Sequence, residues 1–133
     1  MKLKRIERGW AGHFCCGIHC QWHRNTLVLD EDTGKGIVVS SVGQLPDDMN
    51  KGKYIEIGAR RYYETMMFVA EERDGYIEAN GRKTIYPPDE MAWCVNDYPK
   101  EKTDLQAEKI HEEHVDYVMK NFAVLVETKG WDE

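Results

Sequence analysis

The sequence has no long run of apolar residues, no excess of positive charge and only four prolines in 133 residues. Its longest apolar stretches, such as Ala123 to Val126, are far too short for a helix that spans a bilayer. Its formal net charge of -6 is the opposite of the basic surface with which a protein coats duplex DNA. These absences argue against a membrane-spanning protein and against duplex nucleic acid as a partner.

An export signal is also missing from the sequence. Residues Met1 to Arg5 are basic, as in a signal peptide, but no apolar segment follows them. We therefore expect a cytoplasmic protein, in the cytosol of its host cell. In that compartment the four cysteines should be reduced thiols, and the adjacent pair Cys15 and Cys16 could hardly form a disulfide without strain.

The residues that are present have the balance of a globular protein, with 41% hydrophobic and 32% charged residues. No repeat, low-complexity tract or linker divides the chain. The length therefore suits a single domain, residues 1–133, built around one core.

The first part of the chain predicts an antiparallel sheet. Segments 27–29 and 37–42 are rich in apolar and β-branched residues, and they flank the turn-rich segment 30–36, which indicates a hairpin with a long loop. Segment 60–70 predicts a strand with two largely apolar or aromatic faces, so we expect it inside the sheet. One of its faces carries Tyr63, Thr65, Met67 and Val69.

The dipeptide Asn80-Gly81 predicts a second hairpin. Segments 76–78 and 82–86 lie on either side of it, and a type I′ turn needs positive φ at both central residues, which Asn and Gly tolerate. Pro87 and Pro88 should end the second of these strands.

The C-terminal part predicts one long helix. Thr103 and Gln106 have the spacing of a capping box, which places the helix start near Asp104, and Gly130 marks a possible end. Apolar residues and two histidines recur at helical spacing, namely Ala107, Ile110, His111, His114, Val118, Phe122 and Leu125. The predicted fold class is therefore α+β, an antiparallel β-sheet of hairpins packed by one long C-terminal helix.

The segment His13 to His23 contains three histidines and three cysteines, which are the usual ligands of zinc. It has no clean C-x-x-C pair, and further ligands would have to come from Cys94 or from the distant His111 and His114. Free cysteines are also common as small core residues. We therefore expect no metal, with a small zinc-binding Cys/His interaction module as the alternative interpretation.

Catalytic motifs are scarce. The chain has no G-x-S-x-G elbow and no phosphate-loop glycine pattern. His111 and His114 share a helix face but lack the i, i+4 spacing of a metalloprotease motif. We therefore expect a protein that is not an enzyme, and a hydrolase that uses Cys20 or the pair His111/His114 is the less favoured alternative.

Arginines recur beside aromatic and small polar residues. They do so in segments 22–26 and 60–65, and the residues Tyr86, Trp93 and Asn96 follow the second predicted hairpin. A guanidinium group binds phosphate oxygens with two parallel hydrogen bonds, and aromatic rings stack on bases. This recurrence favours a nucleotide-like ligand.

Residues Gly9 to Phe14, followed by Cys16, Cys20 and Arg24 to Leu27, resemble a family of small phage and prophage proteins with the pattern G-W-A-G-H-F-x-C-x-x-x-C-x-F-x-R-N-T-L. The likeness continues at Val38 to Gly43, Arg61 to Met66, Trp93, and Ala107 to His111. The chain departs from the pattern at Cys15, His19, Trp22 and His23. His19 and His23 would therefore not be ligands shared with the family, which weakens the zinc interpretation.

This family is similar to the phage anti-Thoeris sponges, which sequester cyclic ADP-ribose signals of bacterial defence proteins and, in some members, cyclic oligonucleotides. The sponges are homo-oligomers that do not cleave the ligand. The resemblance implies a non-catalytic nucleotide-binding protein without a cofactor. It implies that Arg61, Tyr86 and Asn96 surround the adenine and phosphates, and that Arg24 and Thr26 serve a second nucleotide site.

Overall fold

The computed structural model describes residues 1–14, 17–99 and 101–131. Its elements are, in chain order, β1 (Leu3–Arg8), β2 (Trp22–Asp30), β3 (Gly36–Gly43), β4 (Leu45–Pro46), β5 (Tyr54–Ile55), β6 (Tyr63–Arg73), β7 (Tyr76–Ile85), β8 (Cys94–Val95) and α1 (Glu101–Leu125). The large antiparallel sheet has the order β1-β2-β3-β6-β7, with β8 also paired to β6, and α1 packs on one of its faces. This confirms the predicted α+β class.

No helix within the described residues is long and apolar enough to cross a membrane.

The hairpin of β2 and β3 forms as predicted, and Asp30 organises its loop. The Asp30 carboxylate accepts hydrogen bonds from the backbone nitrogen atoms of Lys2 and Asp32, both at 3.1 Å, and from the Thr33 hydroxyl at 2.8 Å. Gly34 completes the loop with a φ of 76°, a value that glycine adopts without steric cost. These contacts fix the register in which Thr26 lies opposite Val39.

Strand β6 lies inside the sheet between β3 and β7, as its two apolar faces predict. Thr65, Met67 and Val69 point toward α1, where Met67 and Val69 join the main core. The helix contributes its predicted apolar face to the same core through Val115, Val118 and Phe122. The opposite face of the sheet forms a smaller cluster around Leu27, Val38 and Ala70.

The predicted hairpin at Asn80-Gly81 is wrong. The chain reverses instead at Asp74 and Gly75, whose φ values of 53° and 85° are those of a type I′ turn. Asn80 and Gly81 lie within β7, where the pairing register with β6 shifts and the Asn80 side chain accepts a hydrogen bond from the backbone of Arg82 at 3.0 Å. Asp-Gly is as good a type I′ dipeptide as Asn-Gly, and its position is the one that lets β6 extend to Arg73.

This correction gives a matched pair of glycine substitutions. Gly75→Ala should lower the free energy of unfolding by roughly 1–2 kcal/mol, because alanine resists a left-handed backbone. Gly81→Ala should change it by less than about 0.5 kcal/mol, since Gly81 has no left-handed φ and its added Cβ would meet no atom within 4 Å. Urea unfolding of both variants measures the difference, and equal losses would contradict the turn assignment.

The helix begins at Glu101, three residues before the predicted start, and the capping box is not formed. The Thr103 hydroxyl donates to the backbone carbonyl of Tyr98 at 3.3 Å, so it does not accept a hydrogen bond as a capping oxygen would. Asp104 has a tertiary role, because its carboxylate accepts a hydrogen bond from the Tyr63 hydroxyl on β6. The predicted helix start is therefore close to the observed one, but Thr103 and Asp104 make other contacts than those of a capping box.

The helix ends at Leu125 and does not reach Gly130. The Thr128 backbone nitrogen and hydroxyl both donate to the Leu125 carbonyl, at 3.1 and 2.7 Å. This carbonyl, which would otherwise be unpaired at the helix end, is thus satisfied without a glycine cap.

Candidate functional site

Arg61 and Tyr86, two of the predicted binding residues, line one open groove of about 840 Å³. Arg61 precedes β6, and Tyr86 directly follows β7, the neighbouring strand. The connection between β7 and β8, which includes Trp93, supplies much of the remaining lining. We call this cavity the Arg61 groove.

A tight turn before β6 positions the Arg61 side chain. The backbone nitrogen of Ile57 donates to the Arg61 carbonyl at 3.0 Å, and Arg61 forms a bridge with Gly58. A Cβ atom on Gly58 would lie 2.4 Å from Arg61 Cζ, so the guanidinium rests directly against the glycine. On another side, Arg61 Cζ lies 5.4 Å from the centroid of the Trp93 ring, which is within range of a cation–π interaction.

Glu64, on β6, also holds Arg61. Its Oε2 atom lies 2.6 Å from Arg61 Nε, and the contact is an ion pair because the N–H is not directed at the oxygen. The terminal Nη groups of Arg61 donate no hydrogen bond to any residue that the structure describes. These groups therefore remain available to a ligand in the groove.

The other oxygen of Glu64 accepts a hydrogen bond from His13. The distance from His13 Nε2 to Glu64 Oε1 is 3.0 Å, and His13 Nδ1 lies 3.0 Å from the Ser40 hydroxyl. A carboxylate can only accept, so Nε2 is the donor, and Ser40 donates to Nδ1 when the ring is neutral. A series of side-chain contacts, Ser40–His13–Glu64–Arg61, thus links the groove to a second cavity, which His13 and Ser40 line.

The electrostatics of this series of contacts favour a charged Glu64. Burial raises the pKa of the Glu64 carboxyl, but the hydrogen bond from His13 and the charge of Arg61 outweigh burial and hold the pKa below its ordinary value. The group therefore remains a carboxylate, which can orient Arg61 while its own charge is satisfied from two sides.

The structure does not bring Asn96 into the Arg61 groove. Asn96 is exposed, follows β8 and lines an adjacent surface with residues of α1 such as Lys109 and Glu113, and this surface meets the groove at Cys94. Its amide oxygen lies 3.7 Å from the Cys94 sulfur, a weak contact. Two of the three residues predicted around adenine and phosphate therefore share a cavity within this chain.

Arg24 and Thr26, predicted for a second nucleotide site, lie between the sheet and α1. Arg24 forms ion pairs with Glu7, Glu108 and Glu112 at 2.6, 2.7 and 3.0 Å. Thr26 is fully buried and donates its hydroxyl to Glu7. Three carboxylates around one guanidinium leave little attraction for an anionic ligand, so this arrangement stabilises the contact between β1, β2 and α1.

No protein-family model, curated protein or solved structure matches this chain.

His111 lies at the centre of a buried chain of hydrogen bonds under α1. Its Nδ1 is 2.6 Å from the Ser41 hydroxyl, and its Nε2 is 2.7 Å from the Thr26 hydroxyl. Because Thr26 donates onward to Glu7, its oxygen accepts from Nε2, and Ser41 donates to Nδ1. Burial and the charge of Arg24 lower the pKa of His111 to about 4, so the ring is neutral at physiological pH.

The residues of the hydrolase alternative are deeply buried. His111 and His114 are 0% exposed, and Cys20 is 6% exposed. None of them is placed to meet a substrate. Among the residues that the structure describes, no three His, Cys, Asp or Glu side chains are grouped closely enough to hold a metal ion. Cys15 and Cys16, which entered the zinc interpretation, lie outside the described residues.

Sequence reasoning missed the roles of Glu64, His13 and Gly58 in positioning Arg61. One signal was present: Glu64 falls within a strand predicted to be covered on both faces, and a buried carboxylate needs a partner. Its partner His13 is 51 residues away in the chain, and no local pattern identifies it.

Proposed function

We propose that this chain binds a phosphate-bearing nucleotide in the Arg61 groove and sequesters it without cleaving it. The supporting observation is the convergence of Arg61, Trp93 and Tyr86 on one open cavity. Arg61 is held through its Nε and offers its Nη groups, which suits paired contacts to phosphate oxygens.

The aromatic residues of the groove suit a base. Tyr86 is 78% exposed and Trp93 is 39% exposed, and large aromatic side chains so open to water lose unfavourable solvent contact when a flat ring stacks on them. Asp89 and Glu90 also line the groove and can accept hydrogen bonds from ribose hydroxyls or an adenine amino group. Because their negative charge would repel phosphate, we expect the phosphates at the Arg61 end of the groove.

The sequence resemblance to small phage and prophage proteins narrows the ligand class to a cyclic ADP-ribose isomer or a cyclic oligonucleotide, bound as an immune signal. Calorimetry with members of both classes tests the proposal. We expect at least one to bind with a dissociation constant well below about 1 mM. If none does, the proposed function is wrong.

Recovery of the ligand separates sequestration from the alternatives. After denaturation of the complex, mass spectrometry should find the ligand intact, whereas cleaved products would indicate a hydrolase. Elemental analysis should find much less than one zinc per chain, and a chelator should leave the melting temperature unchanged. Stoichiometric zinc would instead favour the Cys/His interaction module.

We also propose a homo-oligomer. Trp10, Tyr76, Tyr86, Trp93 and Trp131 are all more than a third exposed, and Trp and Tyr are enriched in subunit interfaces. Light scattering at micromolar concentration should therefore report a dimer or a larger assembly. A clean monomer under these conditions would contradict this prediction.

A further inference from the structure

Arg8, at the end of β1, is a partly buried cation without a close carboxylate. Arg5, Arg24 and Arg61 each have a carboxylate oxygen within 3.1 Å, but no described carboxylate lies within 4.0 Å of the Arg8 nitrogen atoms. Glu78 is the nearby acidic group that acts on it from a longer distance. Burial lowers the pKa of Arg8, because it outweighs the opposing charge of Glu78.

The hydrogen bonds of Arg8 leave one of its nitrogen atoms unpaired. Its Nε donates to the Asn25 side chain at 2.8 Å, and its Nη1 donates to the Ile77 carbonyl at 2.5 Å. Its Nη2 is buried and has no partner among the described residues. An unpaired buried donor on a cation is costly, so a ligand that supplied an anionic oxygen would gain the full value of the contact.

A cavity of about 430 Å³ lies beside this guanidinium. It is on the face of the sheet opposite α1 and is distinct from the Arg61 groove. Asn25, His13, Ser40 and the carboxylate Glu78 supply its polar lining, while Phe14 and Phe68 supply apolar rings. Such a combination of aromatic walls with a few converging polar groups is typical of small-ligand sites.

Trp10 covers the guanidinium. Its ring centroid lies 3.6 Å from Arg8 Cζ, its side chain is 37% exposed, and it belongs to neither a strand nor a helix. Rotation of this side chain would leave the backbone pairing of the sheet unchanged, because Trp10 lies outside the strands. The displaced ring can then stack on an aromatic ligand.

We infer that the Arg8 cavity is a binding site for a small organic anion, in which one carboxylate or phosphate group on a planar ring pairs with Arg8. The ring occupies the aromatic part of the cavity. This inference does not rest on the proposed function, because none of the residues that line the Arg8 cavity lines the Arg61 groove.

Titration with phenyl phosphate, benzoate and inorganic phosphate tests this site. Phenyl phosphate or benzoate should bind saturably by calorimetry and change tryptophan fluorescence, and the stronger of the two identifies the anionic group. Inorganic phosphate should bind at least tenfold more weakly, because it lacks the ring. Trp10→Phe should abolish most of the fluorescence change while binding persists by calorimetry.

Two arginine controls distinguish this site from the rest of the surface. Arg8→Gln should weaken binding of the aromatic anion at least tenfold, and Arg8→Lys should weaken it less. Arg5→Gln, on the same strand, and Arg60→Ala, at an exposed position that does not line the cavity, should leave it unchanged. The inference is overturned if folded Arg8→Gln binds as the wild type does, or if no aromatic anion binds below about 10 mM. Should Arg8→Gln fail to fold, the Trp10→Phe comparison still decides.

Discussion

Arg61→Ala should weaken nucleotide binding by about one to two orders of magnitude. A charge-assisted contact to phosphate in a partly desolvated site contributes roughly 1.5–3 kcal/mol, and each ~1.4 kcal/mol is a factor of ten in affinity. Arg61→Lys should restore only part of the loss, because lysine keeps the charge but not the paired geometry. Calorimetry with cyclic ADP-ribose isomers and cyclic oligonucleotides measures the effect.

Two further variants make this result specific. Arg60→Ala removes the neighbouring exposed arginine, which does not line the groove, and should bind as the wild type does. Gly58→Ala should weaken binding without unfolding the protein, because its Cβ would displace only the end of the flexible Arg61 side chain. If Arg60→Ala and Arg61→Ala lose affinity equally, general electrostatic attraction explains the binding and the groove assignment is wrong.

The aromatic contribution should be of similar size. Tyr86→Ala should cost about 1–3 kcal/mol of binding free energy if the exposed ring stacks on the base. Tyr86→Phe is the matched control, since it keeps the ring and removes the hydroxyl. Equal losses in the two variants would indicate a hydrogen bond from Tyr86 in place of stacking.

Acid should destabilise the fold through the buried His111. Burial lowers the pKa of His111 from 6.5 to about 4, so the unfolded chain binds a proton in this pH range that the folded chain does not. The contribution of neutral His111 to the free energy of unfolding is therefore complete above pH 6.5 and decreases as the pH falls toward about 4. The loss is roughly 2–4 kcal/mol from this group. Urea unfolding across this range measures it.

Other groups can be separated from this effect. Burial also lowers the pKa of His114, so it adds to the same slope. The hydrogen bond from Arg5 lowers the pKa of Glu112 from 4.5 to about 2, so its contribution is lost only below pH 4.5. His23→Gln, at an exposed position, should keep the slope, whereas His111→Gln should reduce it. If the NMR signals of the His111 ring titrate near pH 6.5 in the folded wild type, the prediction is wrong.

The elements of this fold that could be predicted from sequence are those with a strong period. The alternation in β6 correctly separated Thr65, Met67 and Val69 from the opposite face, and the helical spacing correctly identified the buried side of α1. In both elements, the spacing of residues within one segment indicates which side chains share a buried face. The turn at Asp74-Gly75 was missed because two equivalent turn dipeptides lie within one strand length, and local chemistry cannot rank them.

The candidate site was predictable only in part, because most of its contacts join distant segments. Arg61 and Tyr86 share a groove because β6 and β7 are neighbours, which the strand alternation alone does not reveal. His13 reaches Glu64 through the register in which Ser40 pairs with Met66. The ion pairs of Arg24 with carboxylates of α1 could not be predicted, because these carboxylates lie more than 80 residues away in the chain.

Both edge strands of the large sheet, β1 and β7, are poorly suited to pairing with a strand of another molecule. On β1 an incoming chain would run beside the exposed charges of Lys4, Arg5 and Glu7. On β7 the break in register around Asn80 interrupts the row of backbone groups that it would need. Charges and irregularities of this kind protect edge strands from fibril formation. Copies of this chain should therefore not join edge to edge through their large sheets.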